Sequence, residues 1–347
     1  MNRIMKTTCF SLLGLLLLTA CAGLKSSRQA VIQTTDGPVS GEKIGLVLPH
    51  EHIFTDLRGP ETPGYGQADA EEVIRVMKPL LQEAKAAGAD LLVECTGIGV
   101  GRNVAVLACL AKESGLRIVV PTGVYGRAHY APQAYREMSA EELTAWMVKE
   151  IRDGIEGTRI KAGFIKIAAS DDALRPLEEK FLRAAARAAL QTGVAIASHT
   201  IAGPVAEQQA DILAEEGLSL DRFIWVHAQA ERDLSFHRRL ARRGVYIELD
   251  SIGGAPQEDA RWISMIRNLI ADGHGDRVLL SQDAGWFNPG QPGGGQQRPY
   301  TYLLKTFLPK LQASGFGEAD LQQLTVLNPR RAFTIKGQVP HPAVHGP

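Results

Sequence analysis

Short apolar runs alternate with longer amphipathic stretches through most of the chain. The apolar runs, each long enough for a buried strand, lie near residues 44–50, 89–95, 116–123, 163–168, 194–199, 223–228, 244–249 and 277–282. The stretches that follow them carry apolar residues at helical spacing and lie near residues 69–87, 103–114, 139–155, 176–192, 204–216, 233–243, 259–272 and 301–314. Such repeated strand–helix units are typical of α/β proteins with a parallel sheet.

Glycine and proline positions support this order of elements. Gly88 and Gly115 each follow a helical stretch, where a left-handed C-cap favours glycine, and Pro176 begins one. Eight strand–helix units in roughly 270 residues suit a closed (β/α)8 TIM barrel. The alternative is a doubly wound open sheet, which usually has fewer strands, and no Gly-x-Gly-x-x-Gly motif follows the first strand here.

The segment before the first barrel strand predicts a short β-hairpin. Val31 opens an alternating run that ends at Asp36-Gly37, a typical two-residue hairpin turn, and Pro38-Val39 resumes the extended pattern. We therefore expect a (β/α)8 barrel with a short N-terminal β-hairpin.

The overall charge gives no support for a nucleic-acid partner. The chain of 347 residues has 38 Lys and Arg against 38 Asp and Glu, so its formal net charge is zero. Binding to phosphate backbones needs a basic surface, which this balance does not indicate.

The first 20 residues predict a bacterial lipoprotein signal peptide. A short basic segment precedes the apolar run Phe10–Leu18, which is too short to cross a bilayer as a mature helix. Leu18-Thr19-Ala20-Cys21 resembles a lipobox, in which the cysteine is acylated and becomes the new N-terminus. The alternative is an ordinary signal peptide with a cysteine near its cleavage site.

This interpretation divides the chain into a signal peptide (1–20), a tether (21–29) and a barrel domain (30–347). A lipid on Cys21 would anchor the protein to a membrane of the cell envelope, and Ala22 after it favours the outer membrane, on the periplasmic side. Cys95 and Cys109 then remain in the mature chain, and we expect buried thiols rather than a disulfide.

Candidate metal ligands follow the apolar runs. His50 and His52 stand one residue apart at the end of the first run, and side chains at i and i+2 of a strand share a face. A lone His-x-His is weak evidence for a metal site. However, later runs end in Lys166, His199, His227 and Asp283, and the carboxyl ends of barrel strands meet at the catalytic face. The sequence therefore predicts that all these donors converge.

Lys166 is unusual because it lies between isoleucines inside a predicted strand. A charged, unpaired amine would be costly there. An anionic partner relieves this cost, and Glu94 on a neighbouring strand is a candidate. Reaction of the neutral amine with carbon dioxide is the other solution, because it gives an anionic carbamate with two oxygens that can bridge two cations.

The chain resembles the phosphotriesterase-like branch of the amidohydrolase superfamily, which comprises binuclear metal hydrolases on a (β/α)8 barrel. The resemblance runs from the hairpin near Val31 to the segment Asn328–Phe333 and includes Pro49-His50-Glu51-His52-Ile53, the loop from Gly97 to Asn103 and Thr122-Gly123.

The resemblance implies a ligand for each metal position. His50, His52 and Asp283 would bind a buried metal ion, and His199 and His227 a more exposed one. Carboxylated Lys166 and a hydroxide would bridge the two ions, and Asp283 would accept the proton during hydroxide attack. Zn is the expected metal, and Mn, Co or Fe would suit the same donors. A homodimer is compatible with the resemblance.

The substrate-facing loops depart from the family's organophosphate hydrolases. Ala230 stands where those enzymes have an acidic residue, and Ser251 stands where they have a histidine. Lactonase relatives have an arginine at the position of Ser251, but Tyr125 is similar to a tyrosine that they place beside the metals. We predict Tyr125, Asp250 and Trp286 as substrate-binding residues; rim packing for Tyr125 and a loop cap for Asp250 are the alternatives.

The leading functional prediction is hydrolysis of a small lactone or carboxylic ester. Hydrolysis of an aryl dialkyl phosphate at the same site is the second. A third, of another class, is a non-catalytic lipoprotein that binds a ligand of the cell envelope, but its expected signature is loss of metal ligands, and all six positions are filled.

Overall fold

The computed structural model describes residues 30–337. The strands are β1 Val31–Thr34, β2 Gly37–Ser40, β3 Leu46–Phe54, β4 Ala89–Glu94, β5 Arg117–Val119, β6 Pro121–Thr122, β7 Phe164–Ala168, β8 Ala195–His199, β9 Phe223–Val226, β10 Tyr246–Leu249, β11 Val278–Leu280 and β12 Gly285–Phe287. The helices are α1 Ala70–Ala86, α2 Val104–Ser114, α3 Gln133–Glu137, α4 Ala140–Arg152, α5 Pro176–Thr192, α6 Gly203–Glu215, α7 Leu234–Arg242, α8 Asp259–Ala271, α9 Leu308–Ala313, α10 Glu318–Gln322 and α11 Asn328–Phe333. Single π-helical segments, Leu303–Phe307 and Gln323–Leu327, lead into α9 and α11.

Strands β3 to β11 form a closed parallel barrel. Parallel pairing joins β3, β4 and β5, and then β6 through β11 in chain order. β5 and β6 are parts of one barrel strand on either side of Val120, whose carbonyl accepts a hydrogen bond from Gly163. The ring closes where the N–H of Asp283 donates to His50 (3.1 Å) and the N–H of His52 donates to Ala284 (2.9 Å). The predicted (β/α)8 barrel is therefore confirmed.

Alternation along the strands produces two apolar layers. Val47, Phe164 and Ile224 point into the barrel, where Ile32 of the β1–β2 hairpin and Phe333 pack with them. Their neighbours along the same strands point outward against the helices. The predicted hairpin is confirmed, and it contributes to the interior core.

The segment after β11, in which the apolar pattern predicts no strand, contains β12. This strand pairs with β3 through Gly285 and His52. This partner extends β3 to Phe54, beyond the predicted end at residue 50, because the added strand takes up backbone hydrogen bonds of residues 52 to 55.

Three side chains outside the predicted ligand set are buried or half-buried. His237 is fully buried, since its ring packs against Trp225 and meets the carbonyl oxygen of Ala228 at 2.7 Å. Cys95 is buried and Cys109 half-buried, and within the described residues both are free thiols.

The predictions for the N-terminus lie outside the described residues. The signal peptide, the tether and the acylated Cys21 all fall within residues 1–29. Between residues 30 and 337, no helix has the length and apolar character needed to cross a membrane.

Candidate metal centre

All six predicted ligands lie together at the carboxyl end of the barrel. Five of them line a cavity of about 170 Å³, namely His52, Lys166, His199, His227 and Asp283. His50 lies directly beneath, fully buried, with its ring centroid 5.4 Å from that of His52 and 5.2 Å from that of His227. The rings of His199 and His227 are 4.4 Å apart.

A register shift in β3 brings its two histidines into the barrel. Leu48 packs outward against the helices, so strict alternation would place His50 and His52 outward as well. The pairing of β3 with β4 shifts between Leu48 and Glu51, and such an irregularity moves the following side chains to the other face. Both imidazoles consequently face the cavity.

Left-handed backbone conformations direct other site residues. Val226 faces the barrel interior, so continued extension would turn His227 away from it. Instead His227 has a φ of 62°, and Asp283 and Trp286 have φ values of 51° and 75°. Among the described non-glycine residues only Glu156 shares this conformation. Strain of this kind, which costs about 1–3 kcal/mol per residue, is typical of functional sites.

Three of the imidazoles have their Nδ1 atoms held by outer partners. Nδ1 of His50 is 3.0 Å from Glu248, Nδ1 of His52 is 2.7 Å from the hydroxyl of Thr96, and Nδ1 of His227 is 2.7 Å from Asp250. An Nδ1–H donated outward leaves the Nε2 lone pair free for a cation, which is how metal-binding histidines are usually oriented.

The atoms of His50, His52 and Asp283 that approach one another have the arrangement that a cation requires. Nε2 of His52 lies 3.3 Å and Nε2 of His50 lies 3.7 Å from Oδ1 of Asp283. Nε2 of His50 and Oδ1 of Asp283 are buried without a hydrogen-bond partner among the described residues. Buried polar atoms are rarely left unpaired, so a divalent cation fits these donors.

His227 and Asp250 also approach His50 closely enough to be considered with it as a metal-binding group. However, Nδ1 of His227 already forms a hydrogen bond with Oδ1 of Asp250. We therefore regard Asp250 as the outer support of His227.

Burial and neighbouring groups shift the pKa values of His50, His199 and Asp283 toward the protonation states that metal binding needs. Burial, together with the nearby Lys166, lowers the pKa of His50 far below its ordinary value, and burial with His227 does the same for His199. Burial alone would raise the pKa of Asp283, but the neighbouring His52, His227 and Arg298 outweigh it and the net pKa is lowered. Neutral imidazoles and an ionised carboxylate are the metal-binding forms.

Lys166 is 2% exposed and has no hydrogen bond or ion pair within the described residues. The suggested partner, Glu94, accepts hydrogen bonds from the backbone N–H groups of Ile53 and Thr96 instead. The ion pair between Lys166 and Glu94 is therefore absent from the described structure.

The predicted substrate residues take different positions. Tyr125 and Trp286 line the cavity, with Tyr125 5.3 Å from His199 and Trp286 4.4 Å from His52 between ring centroids. Asp250 is fully buried and does not line the cavity; its carboxylate accepts hydrogen bonds from the backbone N–H of His227 (2.8 Å) and the side chain of Gln229 (2.8 Å).

Sequence reasoning missed the outer partners and one lining residue. Glu248 and Thr96 contact predicted ligand histidines of β3. Glu248 lies on β10 and Thr96 follows β4, so no spacing connects them to these histidines. Arg127 lies 2.9 Å from Nε2 of His199. Its place two residues after Tyr125 was the only signal that could have indicated it.

Comparisons with known proteins agree with this geometry. Residues 30–333 match the phosphotriesterase family. A phosphotriesterase homology protein of Escherichia coli is 33% identical over 85% of this chain and all of its own length. The N-acetyltaurine hydrolase of Rattus norvegicus is 28% identical over 90% of this chain and all of its own length.

A solved structure has a closely similar fold. It is described as organophosphate hydrolysis activity engineered from a weak promiscuous lactonase, and it superposes with a TM-score of 0.79 at 33% identity, covering 87% of this chain and 99% of its own. Members of the phosphotriesterase family are hydrolases that depend on a binuclear metal centre. The match over nearly the whole described chain establishes that this protein belongs to the phosphotriesterase family.

Proposed function

We propose that this chain hydrolyses a lactone or carboxylic ester at a binuclear metal centre. One observation carries the proposal: the inner atoms of His50 and Asp283 are buried and unpaired, while the outer sides of three ligand histidines are occupied. In this family site, His50, His52 and Asp283 would hold the deeper cation, and His199 and His227 the outer one.

Lys166 would complete the site as a carbamate. Its burial and its lack of an anionic partner among the described residues support this assignment, because the modification replaces a buried amine by an anion. In the reaction, the neutral amine adds to carbon dioxide and releases one proton.

Two divalent cations, when bound, would polarise the substrate carbonyl and lower the pKa of a bound water. The chain's own residues perform the other tasks. Asp283, whose pKa is lowered chiefly through His52 against the effect of burial, is ionised at neutral pH and can accept a proton. Tyr125 and Trp286 provide aromatic walls beside the ligand histidines, and together they exclude water from a small substrate.

A carbonyl substrate is favoured over a phosphotriester by the loops. At the positions of the organophosphate relay, Ala230 is an exposed apolar side chain, and Ser251 interacts with Gln229 (2.6 Å) instead of with a metal-bound aspartate. Phosphotriester hydrolysis remains the second candidate because of the solved structure described above. Amide hydrolysis is a further candidate, supported by the similarity to N-acetyltaurine hydrolase.

The test is a comparison of substrates on protein reconstituted with zinc, manganese or cobalt. A series of γ- and δ-lactones and short esters should give higher kcat/KM than an aryl dialkyl phosphate or an N-acetyl amide. Asp283→Asn should lower kcat by about 10²–10⁴-fold as expected for loss of a general base. Faster turnover of the phosphate or amide would contradict the substrate assignment. Equal rates for wild-type and metal-stripped protein would contradict the mechanism.

The envelope location also belongs to this proposal. The lipobox-like Leu18-Thr19-Ala20-Cys21 supports a lipid anchor on Cys21 at the periplasmic side of the outer membrane. Cys21→Ser should release the protein into the soluble periplasmic fraction, and unchanged membrane partition of this variant would contradict acylation.

A further inference from the structure

Arg127 is the one charged side chain in the described cavity lining that has no predicted role in metal binding. Apart from Arg127 and five of the predicted ligands, the lining is apolar, aromatic or uncharged and consists of Thr55, Leu57, Cys95, Val100, Tyr125, Tyr130 and Trp286. The Arg127 side chain is 21% exposed, so most of it is covered by protein. It also lines an outer groove of about 640 Å³, which adjoins the cavity.

The guanidinium of Arg127 has donors to spare. Nε donates to the carbonyl of Ala169 (3.2 Å), and Nη2 contacts both Asp171 and Nε2 of His199. Nη1, with two N–H groups, has no hydrogen-bond acceptor among residues 30–337. The ion pair with Asp171 is weakly stabilising, because that carboxylate is 57% exposed and water screens it.

Arg127 keeps a free nitrogen beside a predicted metal ligand. Nη2 lies 2.9 Å from Nε2 of His199 and also contacts Asp171, so Nη1 is the nitrogen that is available to a substrate. A guanidinium with unpaired N–H groups at the wall of a cavity is a recognition element for an anionic oxygen.

We propose that Arg127 binds an anionic group of the substrate, so that the substrate is a lactone or ester that also carries a carboxylate or sulfonate. This inference rests on the proposed function, because it places the anion beside a carbonyl at the metal centre. The aromatic walls would contact the short apolar link between the two groups. Arg127 is then a specificity-determining residue of this chain.

The first experiment compares two esters that differ only at one end. Ethyl butyrate and monoethyl succinate have the same scissile bond and chain length, but a carboxylate replaces the terminal methyl group in the second. We expect metal-loaded wild-type protein to prefer monoethyl succinate by at least about 10-fold in kcat/KM, as one charged hydrogen bond provides. Proton release measures both reactions.

Three variants separate recognition from structure. Arg127→Met should abolish the preference while leaving the bound metal, measured by mass spectrometry, undiminished, and Arg127→Lys should retain part of it. Arg175→Met is the matched control, because Arg175 lines the outer groove but pairs with Asp172 and is 53% exposed. An equal preference in Arg127→Met and wild type, or no preference in wild type, would overturn the proposal.

A binding measurement keeps the inference separate from catalysis. Calorimetry of succinate and butyrate should show at least about 10-fold tighter binding of succinate to wild type, but not to Arg127→Met. If neither ester is hydrolysed and succinate still binds preferentially, the ester hydrolase assignment fails and the anion site stands. If succinate and butyrate bind equally, the anion site fails whatever the esters show.

Discussion

Asp250→Asn tests whether the aspartate after β10 supports a metal ligand or contacts the substrate. Both carboxylate oxygens of Asp250 are in use: Oδ1 accepts from Nδ1 of His227 (2.7 Å) and from Gln229 (2.8 Å), and Oδ2 accepts from the backbone N–H of His227 (2.8 Å). Asparagine has one acceptor oxygen and an NH2 group in the other position. At least one buried donor would therefore face another donor.

The size of the effect follows from these contacts. A buried donor left without an acceptor costs about 1–3 kcal/mol, and loss of an outer partner of a ligand histidine typically weakens metal binding about 10–100-fold. We expect Asp250→Asn to weaken the binding of one of the two proposed metal ions by this factor. At limiting metal concentration, kcat should fall in proportion. The apparent KM of fully reconstituted protein should stay close to the wild-type value.

The assay is metal content after dialysis against a series of buffered free-zinc concentrations, followed by kcat and KM at saturating zinc. Asp259→Asn is the matched control. Asp259 is also a buried aspartate with two donors, Tyr302 (2.8 Å) and Lys310 (2.7 Å), but it lies on α8 outside the barrel. Wild-type zinc affinity in Asp250→Asn together with a raised KM would refute the supporting role and favour direct substrate contact.

Two further predictions concern a lysine of the barrel and a histidine of α7. Lys166→Ala should lose at least one metal equivalent and the carbamate carbon signal that ¹³C-bicarbonate gives in wild type; absence of that signal from wild type would contradict carboxylation. Burial lowers the pKa of His237 below its ordinary 6.5, so below about pH 6.5 the unfolded chain binds a proton at His237 that the folded chain does not. The stability associated with the neutral His237 is therefore complete above about pH 6.5 and is lost as the pH falls below that value. Between about pH 7.5 and about pH 5, the Tm of metal-free His237→Gln should therefore fall by less than the Tm of metal-free wild type. The fall in Tm of the exposed control His129→Gln should equal that of wild type. Equal losses in all three proteins would refute the assignment.

The barrel and the location of the donors could be predicted because both depend on local patterns. Apolar runs alternating with amphipathic stretches fix the order of strands and helices, and parallel strands bring their carboxyl ends to one face. Lys166 and His199 end up where the alternation of their strands places them, on the side of Phe164 and Ala195.

The orientation of the remaining donors depends on tertiary contacts. Alternation alone would turn His50 and His52 toward the helices, and the register shift against β4 reverses them. β12, which extends β3 past His52, comes from a segment with no strand signal of its own. The left-handed backbone conformation of His227 also depends on the surrounding packing, because this conformation is unfavourable for a histidine by itself.

The sequence by itself determined the fold, the family and the chemical types at the metal centre, since these are set by the composition and spacing of each strand. Only the tertiary structure decided which nitrogen of His50, His52 and His227 faces the cavity and which arginine lines it. Thr96, Glu248 and Asp250 hold the Nδ1 atoms, and Arg127 enters from a separate loop. These partners lie on strands and loops distant in sequence, and only closure of the barrel brings them within hydrogen-bonding distance.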